Sequence, residues 1–369
     1  MTKPSEEAIR AAALTVLLWA KENRALADDV TTPPLPPLQD AEIIPTGATP
    51  DAELARAKAE KALERIKVVH VAADFDRGRI TVLTKNQVSL ATEGLLPKLI
   101  AGIAVDYIGH ASLEANPPHL PQSNAAAAPR YFEHNGRLAC GSSVSAATIW
   151  GAGTLGAIVT LADGTMCGLT NNHVTGGCNH TQVGMHVMAP APFDADPNHP
   201  APLAIGRHHS FVPLASGDPR QVQMQELDVA LFEIHEANKI SSMQGDGYYD
   251  TPTNVLAPMG GMSVKKVGRT TGLTHGQIVG FFPTPLGIPY QGDRFTSTVY
   301  FQNAWVIQSS NGDPFSLAGD SGSLVVTEDG LSAVGLIFAG ATNGSVSYMI
   351  PVQSALATLG ATLVQGHNL

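Results

Sequence analysis

Residues 316–326, Ser316-Leu317-Ala318-Gly319-Asp320-Ser321-Gly322-Ser323-Leu324-Val325-Val326, set one serine between two glycines and then run into an apolar strand. Gly319 and Gly322 can take backbone angles closed to residues with a Cβ, so N–H groups of the turn can converge in front of the Ser321 hydroxyl. That convergence is what stabilising an oxyanion requires. Gly, Asp and Ser also make ordinary hairpin turns. The turn therefore implies chemistry only if the chain supplies a base for the serine and an orienting group for the base. Both occur upstream. Leu169-Thr170-Asn171-Asn172-His173-Val174 ends an apolar run with a histidine, and Glu226-Leu227-Asp228-Val229-Ala230-Leu231 heads another with an aspartate. Hydroxyl, imidazole and carboxylate brought into one cleft would transfer an acyl group: Ser321 attacks, His173 moves the proton, and Asp228 orients the ring and stabilises its charged form.

In the order His, Asp, Ser these stretches resemble the motifs of trypsin-like serine proteases, with residues 170–174 as the histidine motif, 228–231 as the aspartate motif and 319–323 as the nucleophile motif. The chain resembles more closely the branch that contains the plant narrow-leaf protein and its bacterial relatives. Gly153-Thr154-Leu155-Gly156-Ala157, Asn171-Asn172-His173-Val174 and Lys266-Val267-Gly268-Arg269-Thr270-Thr271-Gly272-Leu273-Thr274 carry that likeness, which spans residues 68–352. It implies a mainly β chain with two antiparallel β-barrels of the trypsin-like fold, and an endopeptidase acting on an intracellular protein or peptide. His173, Asp228 and Ser321 would be the catalytic residues, and the backbone N–H groups of Gly319 and Ser321 the oxyanion hole. The Asp-Val-Ala-Leu run selects Asp228 over Asp218 and Asp246. By the same likeness Phe315 would lie at the base of the substrate pocket and Phe338, Ala339 and Gly340 along its wall, an uncharged site for small or medium apolar residues. Asp320 would pair with a local donor, because the chain shows no activation cleavage site. Relatives in this branch assemble, so a homo-oligomer is expected. The competing reading is a catalytically silent scaffold that keeps the protease fold and works by oligomerisation and partner binding.

The composition agrees with this. Thirty-six glycines and 26 prolines among 369 residues, with 6% aromatics, suit short strands joined by turns. A net charge of −10 offers no general attraction to nucleic acid or to an anionic membrane surface. Three cysteines, Cys140, Cys167 and Cys178, are an odd number and fit a reducing, cytoplasmic compartment better than a disulfide framework. The apolar run 11–20 has acidic residues ahead of it and charges behind, so it reads as a helix and not as a leader or membrane span. Cys178, His180, His186, His208 and His209 match no fixed metal-ligand spacing, so neither a metal nor another cofactor is expected.

Several elements must position the site. Residues 1–67 read as two helices around a proline-rich linker, with Ile9, Ala13, Leu17 and Ala20 on one face that needs a partner. Residues 68–115 read as a small α/β accessory unit, 116–137 as a second linker, 138–258 as the first barrel and 259–369 as the second. In the first barrel a hairpin turning at Asp163-Gly164 delivers His173 to its end. Residues 266–274 read as a tight turn in which Gly268 and Gly272 are architectural, and Arg269 has no assigned role.

Overall fold

The computed structural model of the chain describes residues 3–27, 54, 57–112, 114–115, 131–195, 200–215, 224–292 and 294–369. The proline-rich linker at 28–50, most of the second linker (116–130) and Asp218 lie outside the described residues.

Helix Glu6–Glu22 begins where the Ser5 hydroxyl accepts a hydrogen bond from the Ala8 N–H at 3.2 Å, with Glu6 and Glu7 in its first turn and Lys21 in its last, complementing the helix dipole. Its apolar face, including Ile9, Ala13, Leu17 and Ala20, is buried within the chain itself. It lies against strand Val68–Asp74 and shares a core with Leu63 and Ile66 of helix Ala57–Ile66 and with Ile80, Val82 and Val105. The partner that this face needs is supplied by the accessory sheet of the same chain. In that sheet Arg79–Thr84 pairs antiparallel with Val68–Asp74 and parallel with Ile103–Ile108, and the short helix Leu90–Glu93 lies in the crossover between the parallel strands.

The expected two-barrel, mainly β architecture is present, with one barrel closed and the other open. In the closed barrel six antiparallel strands pair in the order Ser263–Gly268, Gly272–Phe281, Trp305–Ser309, Ser347–Pro351, Ala333–Gly340 and Leu324–Thr327, and the last returns to the first. Val264, Ile278, Ile307, Val325, Ile337 and Met349 fill it. Closure removes the free edges that a six-stranded sheet would otherwise expose. The accessory sheet joins this barrel where Ala73 pairs with Phe281.

The half-barrel runs Ala361–Leu363, Ala157–Leu161, Met166–Thr170, Ala230–Ile234, Leu203–Phe211, His186–Ala189, Ser143–Ala146 and Gly153–Thr154. The hairpin at Asp163-Gly164 forms as the sequence predicts, with Gly164 at φ +88°. The first strand in this order is the last in the chain. Helix Val352–Leu359 ends at the left-handed Gly360, and Ala361–Leu363 then returns from the closed barrel to pair with Ala157–Leu161.

One buried histidine sits at the seam between the accessory sheet and the loop 282–285. His70 Nδ1 accepts from the Val71 N–H at 2.9 Å, which puts the ring proton on Nε2, 3.3 Å from Thr284 Oγ1. Burial brings its pKa from 6.5 down to about 4. The unfolded chain therefore binds a proton below pH 6.5 that folded His70 refuses until about pH 4, and stability present above pH 6.5 is lost as pH falls through that window. The loss should be about 3 kcal/mol, with a second, similar loss from buried His208, whose pKa is also lowered to about 4. Urea unfolding at pH 7 and 4.5 should show His70→Asn losing roughly half as much stability between the two as wild type; an equal loss would contradict the assignment.

Candidate active site

Strand pairing brings the histidine and aspartate together. Met166–Thr170 and Ala230–Ile234 are antiparallel neighbours with Thr170 opposite Ala230, so His173, just past the end of one, and Asp228, just before the start of the other, emerge at the same end of the sheet. His173 sits on the single helical turn Asn172–Gly176, which stops at the left-handed Gly177. The Asn172 side chain anchors that turn, donating to Val212 O at 2.8 Å and accepting from the Asn179 N–H at 3.1 Å.

Asp228 has no solvent exposure, and its carboxylate is satisfied entirely from within. His173 Nδ1 lies 2.5 Å from Oδ2, the Tyr290 hydroxyl donates to the same oxygen at 2.7 Å, and the His173 backbone N–H donates to Oδ1 at 3.2 Å. Asn171 holds the Asp228 main-chain carbonyl at 2.5 Å. With Nδ1–H committed to the carboxylate, His173 Nε2 carries the lone pair of a base.

Ser321 is placed by contacts around it. The Thr154 N–H donates to Ser321 O at 2.8 Å and the Thr154 hydroxyl to Gly319 O at 2.9 Å, while Thr170, three residues before His173, donates from its hydroxyl to Thr154 O at 2.7 Å. Gly322 has φ +95°, and a Cβ there would come within 2.4 Å of Thr170 Oγ1 and Thr154 O. The turn carrying Ser321 thus abuts the end of the strand that leads to His173, and only glycine permits the approach. On the other side the Gly322 N–H donates to Ile337 O at 2.8 Å, tying the turn to strand Ala333–Gly340. Ser321 Oγ and His173 Nε2 are both buried without a hydrogen-bond partner, and no hydrogen bond joins them in this structure.

The N–H groups expected to form the oxyanion hole are oriented through their carbonyls. Ala318 O accepts from the Thr270 hydroxyl at 2.6 Å, and Asp320 O accepts from the Ser323 N–H at 3.0 Å and the Ser323 hydroxyl at 2.6 Å. A planar trans peptide points its N–H opposite to its C=O, so these contacts turn the N–H groups of Gly319 and Ser321 away from the residues that hold the carbonyls. Among the described residues no hydrogen bond engages either N–H.

The segment 266–274 backs this turn. The Asp320 carboxylate accepts from the N–H groups of Thr270 (2.8 Å), Thr271 (3.2 Å) and Leu317 (2.9 Å) and from the Thr271 hydroxyl (2.8 Å), with fully buried Lys266 Nζ at 3.6 Å. Burial lowers the Lys266 pKa and Asp320 opposes that shift. Arg269, which has no role in the sequence reading, makes a buried two-armed ion pair with Asp194 of the short helix Pro192–Asp194, and Ser143 donates to the same carboxylate at 2.6 Å. A Cβ on Gly319 would lie 2.6 Å from the Arg269 guanidinium, so this pair, which links the two barrels, packs directly under the turn. Gly268 leaves no room for a side chain, since its Cβ would meet Asp320 Oδ1 at 2.4 Å. No motif in the sequence marks Asp194 or Tyr290.

The four residues expected to line a substrate pocket are all buried. Phe315 lies in the core of the closed barrel, and Phe338 packs against Phe301 with ring centroids 4.6 Å apart. Ala339 and Gly340 are buried and paired antiparallel with Ala115 and Glu114 of the same chain. Among the described residues no group of His, Cys, Asp and Glu gathers to hold a metal ion, and no helix is long and apolar enough to cross a membrane.

The family model of the Nal1 C-terminal domain matches residues 241–355. Among solved structures, the chain is similar to Thermobifida fusca protease A, at 20% identity over 62% of this chain and 100% of that one, with a TM-score of 0.41. It is also similar to the Nocardiopsis protease, at 19% identity over 61% and 97% with a TM-score of 0.38, and to the Cellulomonas bogoriensis chymotrypsin, at 16% over 61% and 97% with a TM-score of 0.37. These neighbours are bacterial trypsin-like serine proteases. No curated protein matches the chain.

Removing one partner of a buried ion pair strands the other charge. Arg269→Met should therefore destabilise the protein by about 3–5 kcal/mol in urea unfolding, and Arg269→Met with Asp194→Leu should recover most of that loss. Additive losses in the double variant would show that the two side chains do not act as a pair.

Proposed function

We propose that the chain is a serine endopeptidase. The observation that carries this reading is the solvent-free Asp228 carboxylate holding His173 by Nδ1, which leaves Nε2 as a buried, unpartnered base. Ser321 Oγ is likewise buried and unpartnered beside the end of the histidine strand; leaving such groups unsatisfied costs stability, and a function explains why the fold retains them. Hydrogen bonds between base and nucleophile are commonly long or absent before substrate arrives and tighten in the complex.

In the proposed reaction His173 Nε2 takes the Ser321 proton as Oγ adds to the carbonyl carbon of a peptide bond. The oxyanion is met by the N–H groups of Gly319 and Ser321, and the imidazolium is stabilised by Asp228. His173 then returns its proton to the leaving amine. Water, deprotonated by the same nitrogen, adds to the acyl carbon, and His173 passes that proton to Ser321 Oγ as the ester bond breaks and the acid leaves. Pinning of the Ala318 and Asp320 carbonyls supports a hole formed before substrate binds. The internal donors to Asp320 support a turn that needs no newly cut N-terminus.

A fluorophosphonate probe should label the folded wild-type protein at Ser321 and fail to label Ser321→Ala or His173→Ala. Any peptide hydrolysis should fall by about 10⁴-fold or more in either variant. Absence of labelling in folded wild type would instead favour the silent scaffold.

A further inference from the structure

Tyr290 stands on strand Leu286–Gln291, which pairs residue for residue with Thr296–Phe301 in a two-stranded hairpin that belongs to neither barrel sheet. The hairpin places one phenol against the buried dyad. The ring of Tyr290 meets that of His173 edge to face, with centroids 5.6 Å apart and an interplanar angle of 68°, and is backed by Phe295 and Phe301 at 6.4 and 6.1 Å. Its hydroxyl donates to Asp228 Oδ2 at 2.7 Å, the oxygen that also takes His173 Nδ1.

We infer that Tyr290 is a positioning residue for the acyl transfer: by sharing Oδ2 with His173 Nδ1 it keeps Asp228 ionised but less basic, and its ring edge fixes the plane of the imidazole. This rests on the serine protease reading. A carboxylate with no water around it must be neutralised by donors or it will draw a proton onto itself. His173 alone would make Oδ2 so strong an acceptor that the Nδ1 proton would drift toward it and the ring would hold a proton on Nε2 to higher pH. A second, neutral donor on the same oxygen withdraws electron density, keeps the proton on Nδ1 and leaves the lone pair on Nε2.

The charged and titratable groups that face the phenol are Asp228, His173 and the buried thiol of Cys178. Burial, and then Asp228, raise the Tyr290 pKa well above its ordinary value, and burial pushes the Cys178 thiol up to about 12. Tyr290 therefore donates at every pH at which the base is neutral, and Cys178 adds no charge.

The test compares Tyr290→Phe with Tyr290→3-fluorotyrosine, whose more acidic phenol donates more strongly, after unfolding curves have established that each is folded. Tyr290→Phe should lower kcat about tenfold with KM within about twofold, and should move the acid limb of kcat/KM up by about one pH unit. The fluorotyrosine should keep kcat and move the limb down. The downfield proton resonance of His173 Nδ1–H should shift in both variants relative to wild type. A merely structural tyrosine would alter the unfolding midpoint and leave both the limb and the resonance in place. Unchanged limb and resonance in folded Tyr290→Phe would overturn the inference, and an unfolded Phe variant leaves the decision to the fluorotyrosine. If wild type shows no Ser321-dependent hydrolysis, the protease reading fails, and the resonance alone then decides whether Tyr290 tunes the pair.

Discussion

The Asp228 carboxylate has no contact with water, and the rest of the site follows from that constraint. An isolated buried charge is untenable in a protein interior, so the fold must bring donors to both oxygens. It takes them from separate places: the histidine turn at the end of the half-barrel hairpin, and a tyrosine on a hairpin outside both barrel sheets. Orientation of the imidazole is a result of satisfying the carboxylate. The extra backbone pin from Asn171 to the Asp228 carbonyl fixes where the charge sits before any side chain rotates.

The turn at Ser321 meets a different problem by the same means. The N–H groups of Gly319 and Ser321 have no hydrogen-bond partner among the described residues, and the structure holds the opposite ends of their peptide planes. Thr270 and Ser323 do this from two sides, and the Asp320 carboxylate gathers amides from the segment behind. Lys266 and Arg269 bring two cations under one turn, and each has its own buried acid, Asp320 and Asp194. Close glycine contacts at Gly319 and Gly322 leave the turn little freedom to relax.

How much of this was legible in the sequence depended on the range of the interaction. His173, Asp228 and Ser321 each stand in a short local pattern tied to a strand end, and strand pairing alone accounts for the meeting of the first two. Thr154, Gly268 and Gly272 were visible as part of motifs, although what they touch was not. Tyr290 was invisible because its hairpin carries no motif and its partner lies 62 positions away. Counting back from the serine says nothing about which way Phe315 turns, and it turns into the barrel core. The N-terminal face was read correctly as apolar, but periodicity does not say whether the cover comes from the same chain.

The pairing of Glu114–Ala115 with Ala339 and Gly340 has a consequence for how the protein can be divided. The segment leaving the accessory unit is stitched along the closed barrel: the Thr342 N–H donates to Ser112 Oγ, Tyr348 donates from its hydroxyl to Ser112 O, and Ser345 donates to His110 O. A fragment beginning after these residues would carry a raw strand margin near Ser321, together with the uncovered Phe281 where Ala73 had paired. Unpaired margins of that kind recruit strands from other molecules. The barrels and the accessory sheet thus share one seam, and the chain between them must stay long enough to keep that seam closed.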